Sequence, residues 1–520
     1  MNQIWNIFRK DVRHHRPEIA VSLALTVAFA WVEVREWDHQ GMMAFGGGAF
    51  LYQLLSELIV PLLPASWMLL IVRAVHGESL VGDRQFWVTR PYDWKNLLAA
   101  KTLFVLAFVN LPLFIMDAFL LAKAGFRPSA YLSGLLWMQL LWILMLLIPT
   151  AALAAVTAGI GQMLLALFLV VLYMIAMSAS SGAVPNSGFS SDVAPVYFLL
   201  VIGMSLAVIF LQYSSRKATV SRWMIAGLAP VFALIMIFAP YRTLIAREFP
   251  ISSNGQLPLH VAMLPSRAPA PEYAVNMGNS IPLRLPLSLS GLPSDSFVEL
   301  KGVILTLTNS QGARWDSGWQ GRDMLLFPSE KTANIEVRLG QEDFEHMKSS
   351  PVNIRLLLAF TLLRDKNQRQ FVVPNGGFAF PDLGLCSVQT NSWSHLVPRN
   401  LVCRLPLRRP SFLLITTQTA QSTCPLPKNQ TPPVSGETVW EFFHNDSEPA
   451  DPGISPVKIL GLSLSNTNPS GRSDPGICPG TPLTLSNPEE AGKNRLEVQL
   501  DNVSLADYQQ SSAPLTTESH

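Results

Sequence analysis

The stretch that decides the fold is residues 102–122, TLFVLAFVNLPLFIMDAFLLA. It is close to the ~20 apolar residues that a helix needs to cross the hydrocarbon core of a membrane. The run also contains Asn110 and Asp117. A charge at the bilayer centre costs about 2.5–3.5 kcal/mol, and each Leu, Ile, Phe or Val returns about 0.3–0.6 kcal/mol. The apolar side chains offset that cost, so we predict a transmembrane span here.

Comparable apolar runs lie on both sides of this one, which predicts a helical bundle of about seven spans. The first run follows a basic leader and contains Ala28-Phe29-Ala30, so a cleaved signal peptide is the alternative to an anchored span. The short gap around Gly159 and Gln162 leaves one long broken helix as the alternative to two spans. The predicted spans are residues 18–34, 52–74, 102–122, 132–157, 161–179, 195–213 and 223–241.

Composition divides the 520-residue chain near residue 245. Hydrophobic residues make up 49% and charged residues 14%, against roughly 25% charged in soluble domains. The apolar runs lie before the division, and Pro, Ser, Asn and short alternating segments follow it. A net charge of +2 without a basic stripe gives no indication of a nucleic-acid partner.

Lys and Arg are distributed unevenly between the short loops, and this asymmetry predicts the orientation. With the N-terminus in the cytoplasm, the inner segments carry twelve cations and the outer loops carry three. Seven spans then place the second half of the chain outside. The inner cations are Arg9, Lys10, Arg13, Arg16, Arg73, Arg84, Arg90, Lys95, Lys101, Arg216, Lys217 and Arg222, and the outer ones are Arg35, Lys123 and Arg127.

The second half has the period-two pattern of β-strands. In residues 352–360 every second residue is apolar, and the same alternation occurs over residues 335–339. Short strands separated by Pro, Gly and Asn turns predict an all-β, sandwich-like domain. We expect an extracytoplasmic β-rich domain over 244–424, and a Pro/Ser/Asn-rich extension with further strands and a disordered tail over 425–520. The other candidate strands are residues 297–307, 459–464 and 496–500.

All four cysteines lie in this half, and an even number in one region predicts disulfides in an oxidising compartment. Reduced, buried thiols are the alternative. The spacing matches no zinc site, and we expect no metal. The cysteines are Cys386, Cys403, Cys424 and Cys478.

Residues 75–101 form the largest inner loop and interrupt the apolar runs with charges, a Pro and Trp residues. Asp93 is a suitable N-cap for a short helix that begins at Trp94 and continues into the third span. Such a helix presents aromatic and charged groups to a partner. The alternative is a solvated loop with interfacial Trp anchors.

The N-terminal segment 1–16 is predicted to be an amphipathic helix on the inner leaflet, with membrane lipid as its partner. Ile4, Trp5, Phe8 and Val12 fall on one face, and basic residues fall on another. A disordered basic leader is the alternative.

The segment WNIFRKDVRHHRPE followed by a span, together with the loop after the second span, resembles ABC transporter permeases of the type-two exporter class over about residues 1–240. The loop of that class carries a Glu, a short L–T–P segment and a Lys entering the third span, and Glu78, Thr89, Pro91 and Lys101 match those positions. The Gly-Thr usual in the class is replaced here by Arg84-Gln85-Phe86-Trp87. The resemblance assigns ATPase coupling to Glu78, Arg84, Phe86, Trp87, Thr89, Arg90, Pro91, Trp94 and Lys101.

The resemblance implies a separate cytoplasmic ATPase subunit and a second permease chain, as a homodimer or heterodimer. This chain lacks the GxxxxGK[ST] loop that cradles nucleotide phosphates. HExxH and GxSxG are also absent from the sequence, so we expect no enzymatic activity and no cofactor. A seventh span and an external domain depart from the six-span core of the class.

Four polar residues lie within predicted spans and are candidates for a functional role inside the membrane. A carboxyl in such a run is expected either to be protonated or to face the bundle interior, next to Asn110, Gln139 or the seam between two permease chains. Interhelical hydrogen bonding is the alternative to a role in a substrate path. Five prolines can kink their spans and leave carbonyls free, and kinks without functional meaning are the alternative to a role: Pro61, Pro64, Pro112, Pro149 and Pro230. The polar candidates are Glu57, Asn110, Asp117 and Gln139.

The sequence therefore predicts a multi-pass permease subunit of an ATP-driven exporter in a bacterial inner membrane. Its transmembrane bundle covers 17–243, its N-terminus is cytoplasmic and its β-domain is extracytoplasmic. The alternative is a non-transporting receptor whose β-domain binds a ligand and whose inner loop signals. Neither substrate nor transport direction follows from the residues.

Overall fold

The structure is a computed structural model. It describes residues 2–37, 47–77, 93–181, 190–215, 218–238, 241–251, 259–264, 280–328, 331–365, 368–380, 384–389, 400–407, 412–418, 438–444, 453–462 and 477–508.

The first half of the chain is helical, as the apolar runs predict. Two π-helical turns, Leu106–Asn110 and Ile143–Leu147, and a 3-10 turn, Pro128–Tyr131, join helices within the third and fourth apolar segments. The α-helices are α1 (Asn2–His14), α2 (Arg16–Trp37), α3 (Gly47–His76), α4 (Trp94–Val105), α5 (Leu111–Lys123), α6 (Leu132–Trp142), α7 (Ile148–Val156), α8 (Ile160–Ser181), α9 (Ser190–Ser214), α10 (Ala218–Phe238), α11 (Tyr241–Glu248) and α12 (Gln341–Met347).

Six helical segments in the described part of the chain are long and apolar enough to cross a membrane. A helix lies at every predicted span, but the described apolar part of the fifth, Ile160–Ala176, is shorter than the other six. The helix α7 ends at Val156 and α8 begins at Ile160, so these two segments are separate helices. The six segments are Arg16–Trp37, Leu54–His76, Trp94–Lys123, Pro128–Val156, Val196–Ser214 and Ala218–Ile235.

The helices pack around a shared apolar core and expose apolar side chains on the outside. Leu63, Trp67 and Leu120 are fully or almost fully buried. Phe168 on α8 and Trp223 on α10 are instead mostly exposed. An apolar exterior of this kind is suited to lipid rather than water, which supports the membrane class.

The chain forms two compact units. One comprises Met1–Leu172, Val196–Val231 and Gln368–Asn487, and the other Tyr173–Pro195, Phe232–Asn367 and Pro488–His520. The second half is therefore divided near residues 367 and 487, whereas the sequence placed a boundary at 424. Residue 424 lies outside the described residues. The strands are β1 (His260–Met263), β2 (Ser280–Ser290), β3 (Ser296–Asn309), β4 (Arg314–Asp316), β5 (Gln320–Leu326), β6 (Thr332–Gly340), β7 (Val352–Arg364), β8 (Gln368–Val372), β9 (Gly377–Phe380), β10 (Gly384–Gln389), β11 (Asn400–Pro406), β12 (Phe412–Gln418), β13 (Thr438–His444), β14 (Val457–Leu462), β15 (Pro482–Ser486) and β16 (Glu489–Val503).

The unit that contains residues 232–367 holds two antiparallel sheets, ordered β1-β2-β6 and β16-β7-β3-β4, and β5 also pairs with β3. Inward-facing residues of both sheets, such as Val337 on β6 and Leu356 on β7, belong to one hydrophobic cluster. The alternation read from the sequence decides which residues these are. Glu336 and Arg338 are exposed between the buried Ile335, Val337 and Leu339.

The unit that contains most of the helical bundle holds the other two sheets, ordered β14-β11-β10-β9 and β13-β12-β15-β8. Side chains of both sheets, such as Cys403 on β11 and Ile415 on β12, pack together in a second hydrophobic cluster. Both described β regions therefore have the two-layer arrangement of a sandwich.

The sheet β14-β11-β10-β9 packs on one end of the bundle, here called the sheet end. Gly125 follows α5 with a φ of +92°, and a Cβ placed on it lies 2.5 Å from Cδ1 of Leu385. Phe126 and Leu407 contact the same core as the helices. The guanidinium carbon of Arg404 lies 5.5 Å from the centre of the Trp37 ring. The helix ends and the sheet therefore share a continuous apolar contact.

Candidate functional site

The opposite end of the bundle, here called the α1 end, contains the described residues on both sides of segment 78–92 of the predicted ATPase-coupling loop. Trp94 and Lys101 of that loop are described by the structure. The other predicted coupling residues lie outside the described residues: Glu78, Arg84, Phe86, Thr89, Trp87, Arg90 and Pro91. The helix after this segment begins at Trp94, as predicted, and the Asp93 carboxylate accepts a 3.3 Å hydrogen bond from the Lys95 backbone N–H.

Lys101 forms a buried ion pair with Asp11 of α1. Its Nζ lies 2.8 Å from Asp11 Oδ2, and the two side chains are only 6% and 4% exposed. Charges removed from water need a close partner, because the desolvation cost of each is several kcal/mol. The pair therefore holds α1 against α4, and the ammonium group of Lys101 faces the interior of the bundle.

Further contacts along α1 extend this attachment. Asn96 Nδ2 donates a 2.6 Å hydrogen bond to Gln3 Oε1. The Phe8 ring packs against Phe104 and Phe108, with centroids 6.4 and 6.0 Å away. The predicted amphipathic helix is present as α1. Trp5 is 57% exposed. The side of α1 that faces α4 carries Ile4, Phe8 and Asp11, which follow helical spacing.

His15 completes the buried row at the end of α1. Its ring lies 6.1 Å from that of Phe104. Burial is the main cause that lowers the pKa of His15 below 6.5, and the charges of His14 and Lys101 lower it further. Asp11 and Glu18 act in the opposite direction without reversing the shift. The imidazole is therefore neutral at pH 7 and fits the apolar contact between the helices.

The other end of the predicted loop is held by α7. A ring nitrogen of His76, the last residue of α3, lies 3.1 Å from both the carbonyl oxygen of Ala154 and the hydroxyl of Thr157. Nε of Arg222 on α10 donates a 3.1 Å hydrogen bond to the Val156 carbonyl. The segment 78–92 is therefore flanked on both sides by residues that are fixed to other helices.

A second polar group lies inside the bundle. Asn110 Nδ2 donates a 3.2 Å hydrogen bond to Gln139 Oε1, and Gln139 Nε2 donates a 3.1 Å hydrogen bond to Asp117 Oδ2. Asp117 is fully buried, and Asn110 and Gln139 are 7% and 6% exposed. We call these three residues the amide–carboxyl cluster. The fourth candidate, Glu57, is exposed and does not belong to it.

The amide–carboxyl cluster is incompletely hydrogen-bonded. Among the described residues, Asn110 Oδ1 and Asp117 Oδ1 are buried and accept no hydrogen bond. An unpaired buried polar atom costs roughly 1–3 kcal/mol. Such a group is unfavourable as a purely structural element, and its two open acceptors can bind a donor from water or from a ligand.

A π-helical turn lies in each of the two spans that supply the cluster, and each turn is followed by a proline. In an α-helix the residue at position 112 would donate to the carbonyl of Phe108, and residue 149 would donate to Met145. Pro112 and Pro149 have no N–H and their rings crowd those carbonyls. The turns Leu106–Asn110 and Ile143–Leu147 contain both acceptors, so the wider turn relieves the crowding. Turns of this kind recur at functional sites.

The sequence contained only part of this information. Asn110 and Asp117 stand seven residues apart, which places them on one helical face about 20° apart, and Gln139 was a candidate by polarity. Asp11, His15, His76 and Thr157 were missed. In the sequence these residues stand at helical spacing from apolar residues that are buried in the structure. That spacing does not show which side chain each of them contacts.

Cysteines at the sheet end are oxidised. Cys386 and Cys403 form a disulfide across the directly paired strands β10 and β11. Cys478 is also disulfide-bonded, and Cys424 lies outside the described residues. Among the residues that the structure describes, no group of three His, Cys, Asp or Glu side chains could hold a metal ion. Disulfides indicate that this region is in an oxidising, extracytoplasmic environment.

Comparison with known proteins gives little. No protein-family model matches the chain, and no curated protein matches it. Among solved structures, red sea bream transglutaminase is 10% identical over 47% of this chain and 31% of that chain, with a TM-score of 0.14. A structure named pT26-6p is 9% identical over 49% of this chain and 67% of that one, with a TM-score of 0.11. Neither likeness carries an argument about fold or function.

Proposed function

We propose that this protein is the membrane-spanning permease subunit of an ATP-driven exporter of the ABC class. A separate cytoplasmic ATPase binds at the α1 end through the 75–101 loop, and a second permease chain completes the transporter. The N-terminus is cytoplasmic and the β region is extracytoplasmic, in a bacterial inner membrane.

The single observation that carries the proposal is the attachment of α1 to the start of the third span. A force applied to the 78–92 segment passes into Trp94 and α4 because that helix follows directly. The Lys101–Asp11 ion pair moves α1 together with α4. His76 joins the other end of the segment to α7. One loop is therefore connected to three helices, which is what mechanical coupling requires.

The amide–carboxyl cluster supplies the response inside the bundle. It joins the third and fourth spans through two hydrogen bonds of 3.2 and 3.1 Å that are broken if the spans slide past one another. The two π-helical turns leave each span less regular beside the cluster. We assign to these spans the movement that alternates access across the membrane, and to Asp117 and Asn110 the open acceptors that a passing substrate meets.

The test is site-specific photocrosslinking in cells of the natural host. A photoreactive amino acid replaces Lys95, which is exposed at the α1 end, and in a matched variant it replaces Arg127, which is exposed at the sheet end. Crosslinked proteins are identified by mass spectrometry. We expect a protein with a nucleotide-binding GxxxxGK[ST] loop from position 95 and none from position 127.

Two further variants make the test specific. Glu78→Ala with Pro91→Ala is expected to reduce the crosslink at position 95 about tenfold, whereas Arg127→Ala leaves it unchanged. If position 95 yields no ATPase, or position 127 yields the same one, the chain is not a permease of this class.

A receptor that signals inward is the second candidate, and one cavity favours it. A space of about 410 Å³ lies between Trp37 and the sheet β14-β11-β10-β9, with Phe378 and Val402 in its wall. This volume is in the range of small-molecule sites. A receptor predicts that position 95 crosslinks to a signalling protein without a nucleotide-binding loop.

A further inference from the structure

A groove on the outside of the bundle has not been assigned a role. It lies between α2 and α5, has a volume of about 870 Å³, and is lined by apolar side chains at helical spacing on both helices. Its floor includes Ala30 and Met116, and its walls include Val27 and Ile115. A wholly apolar groove would fit any lipid chain and would carry no proposal.

Two cations lie at one end of this groove. Arg35 on α2 and Lys123 on α5 both line it, and both are exposed. They lie at the ends of their helices next to Trp37 and Gly125, which contact the sheet, so they mark the sheet end of the groove. The Arg35 guanidinium carbon is 5.9 Å from the Trp31 ring centre, and Lys123 Nζ is 5.8 Å from that of Phe119.

These two residues are unusual in the charge distribution of the chain. Only three cations, Arg35, Lys123 and Arg127, were counted in the outer short loops of the sequence, against twelve in the inner segments. Two of these three line the same groove. Cations beside an apolar groove attract a negatively charged headgroup, so an anionic ligand accounts for their position.

The length of the groove selects the occupant. From Leu23 to Arg35 on α2, and from Leu111 to Lys123 on α5, the rise is about 18 Å at ~1.5 Å per residue. One leaflet of a membrane contributes about half of the ~30 Å hydrocarbon core. A transmembrane helix of a partner would need a contact of about twice that length. The groove therefore matches one lipid molecule of the leaflet at the sheet end.

We propose that the α2–α5 groove binds an anionic phospholipid, with its phosphate between Arg35 and Lys123 and an acyl chain along Val27, Ala30, Ile115 and Met116. This site is independent of the proposed ATPase partner. It places a bound lipid against the third span, whose π-helical turn ends one residue before the groove-lining Leu111.

The experiment uses the full chain in lipid nanodiscs of phosphatidylcholine. A trace of phosphatidylglycerol or of phosphatidylcholine, each with a photoreactive diazirine in the acyl chain, is included, and labelled peptides are identified by mass spectrometry. We expect the phosphatidylglycerol probe to label residues 23–35 and 111–123 about tenfold more than the phosphatidylcholine probe. This comparison needs no substitution, so it does not depend on a variant that folds.

The matched variants are Arg35→Gln with Lys123→Gln, and Arg127→Gln. The double variant is expected to lose the preference for phosphatidylglycerol, and the Arg127→Gln variant is expected to keep it. Equal labelling by both lipids in the wild-type protein overturns the proposal, because the groove then holds ordinary surrounding lipid. Crosslinks between two copies of the chain at the same residues also overturn it, since a second copy is then the occupant.

Discussion

At the scale of single residues, the Asp11–Lys101 ion pair is the contact whose loss has the clearest expected cost. Burying the two charges requires their desolvation, and removing one of them leaves the other buried without a partner. Both charges are almost fully removed from solvent. Replacing both partners by apolar residues of similar size is often neutral for such pairs, whereas removing one leaves an uncompensated buried charge. The pair therefore determines whether α1 is docked.

We predict that Lys101→Met, made alone, lowers the free energy of unfolding by about 3–5 kcal/mol, and that adding Asp11→Leu restores most of it. Thermal unfolding of the purified protein in detergent measures both. Arg13→Gln is the control, because Arg13 is an exposed cation of the same helix. The interpretation is wrong if the double variant is less stable than Lys101→Met.

The amide–carboxyl cluster depends on one residue that bonds in both directions. Gln139 accepts from Asn110 and donates to Asp117. Loss of its amide would add buried polar atoms without partners to the two that already exist.

We predict that Gln139→Leu lowers the free energy of unfolding by about 1–3 kcal/mol for each partner left unpaired. Asp117→Asn keeps an acceptor of the same shape and is expected to cost less. Unfolding in nanodiscs measures the difference. Glu57→Gln, an exposed substitution in the second span, serves as the reference, and a Gln139→Leu protein as stable as that reference contradicts the role of the cluster.

At the scale of elements, the sequence predicted best where one periodic signal decides the structure. Long apolar runs identified a helix at each predicted span, and alternation identified β6 and β7, because length and period depend only on neighbours in the chain. The short helices α11 and α12 were not predicted. Kinks were predicted at five prolines. The helix is irregular beside Pro112 and Pro149, whereas Pro61, Pro64 and Pro230 lie inside the α-helices α3 and α10. The prolines did not predict π-helical turns, because the choice between a kink and a wide turn depends on how neighbouring helices pack.

The disulfide between β10 and β11 fixes the pairing of two strands. It joins strands whose Cys residues are direct partners and closes a sequence separation of 17 residues. The chain-entropy model gives about 3 kcal/mol for a loop of that size.

We predict that Cys386→Ser with Cys403→Ser destabilises the sheet by about 2–5 kcal/mol. Proteolysis under native conditions, read out on fragments from residues 368–487, measures the change. Ser387→Ala, on the same strand, is the control. Equal proteolysis of the double variant and the control would mean that strand pairing alone stabilises the sheet.

At the scale of the whole molecule, the part that sequence reasoning could not supply is the division of the second half. The compact units separate near residues 367 and 487, and the boundary predicted at 424 from composition lies outside the described residues and stays a prediction. That division depends on which distant strands pair. Neither β16 with β7 nor Asp11 with Lys101 leaves a local signal, since the partners are far apart in the chain.

The orientation predicted from the cations has a direct test. Alkaline phosphatase, which is active only outside the cytoplasm, is expected to be active when fused after residue 260 and inactive when fused after residue 216. The physical reason is that Lys and Arg are retained on the cytoplasmic side of a membrane. A fluorescent protein that matures only inside the cell provides the complementary control. A fusion after residue 260 that behaves as intracellular overturns the proposed topology.

The pairing of β16 with β7 runs almost the full length of both strands, from Glu489 opposite Arg364 to Val503 opposite Val352. During synthesis, β7 emerges from the ribosome more than a hundred residues before its outer neighbour. Until then its apolar edge is open and is a template for pairing with other chains. A chain that lacks residues 489–503 therefore leaves this edge of β7 unpaired.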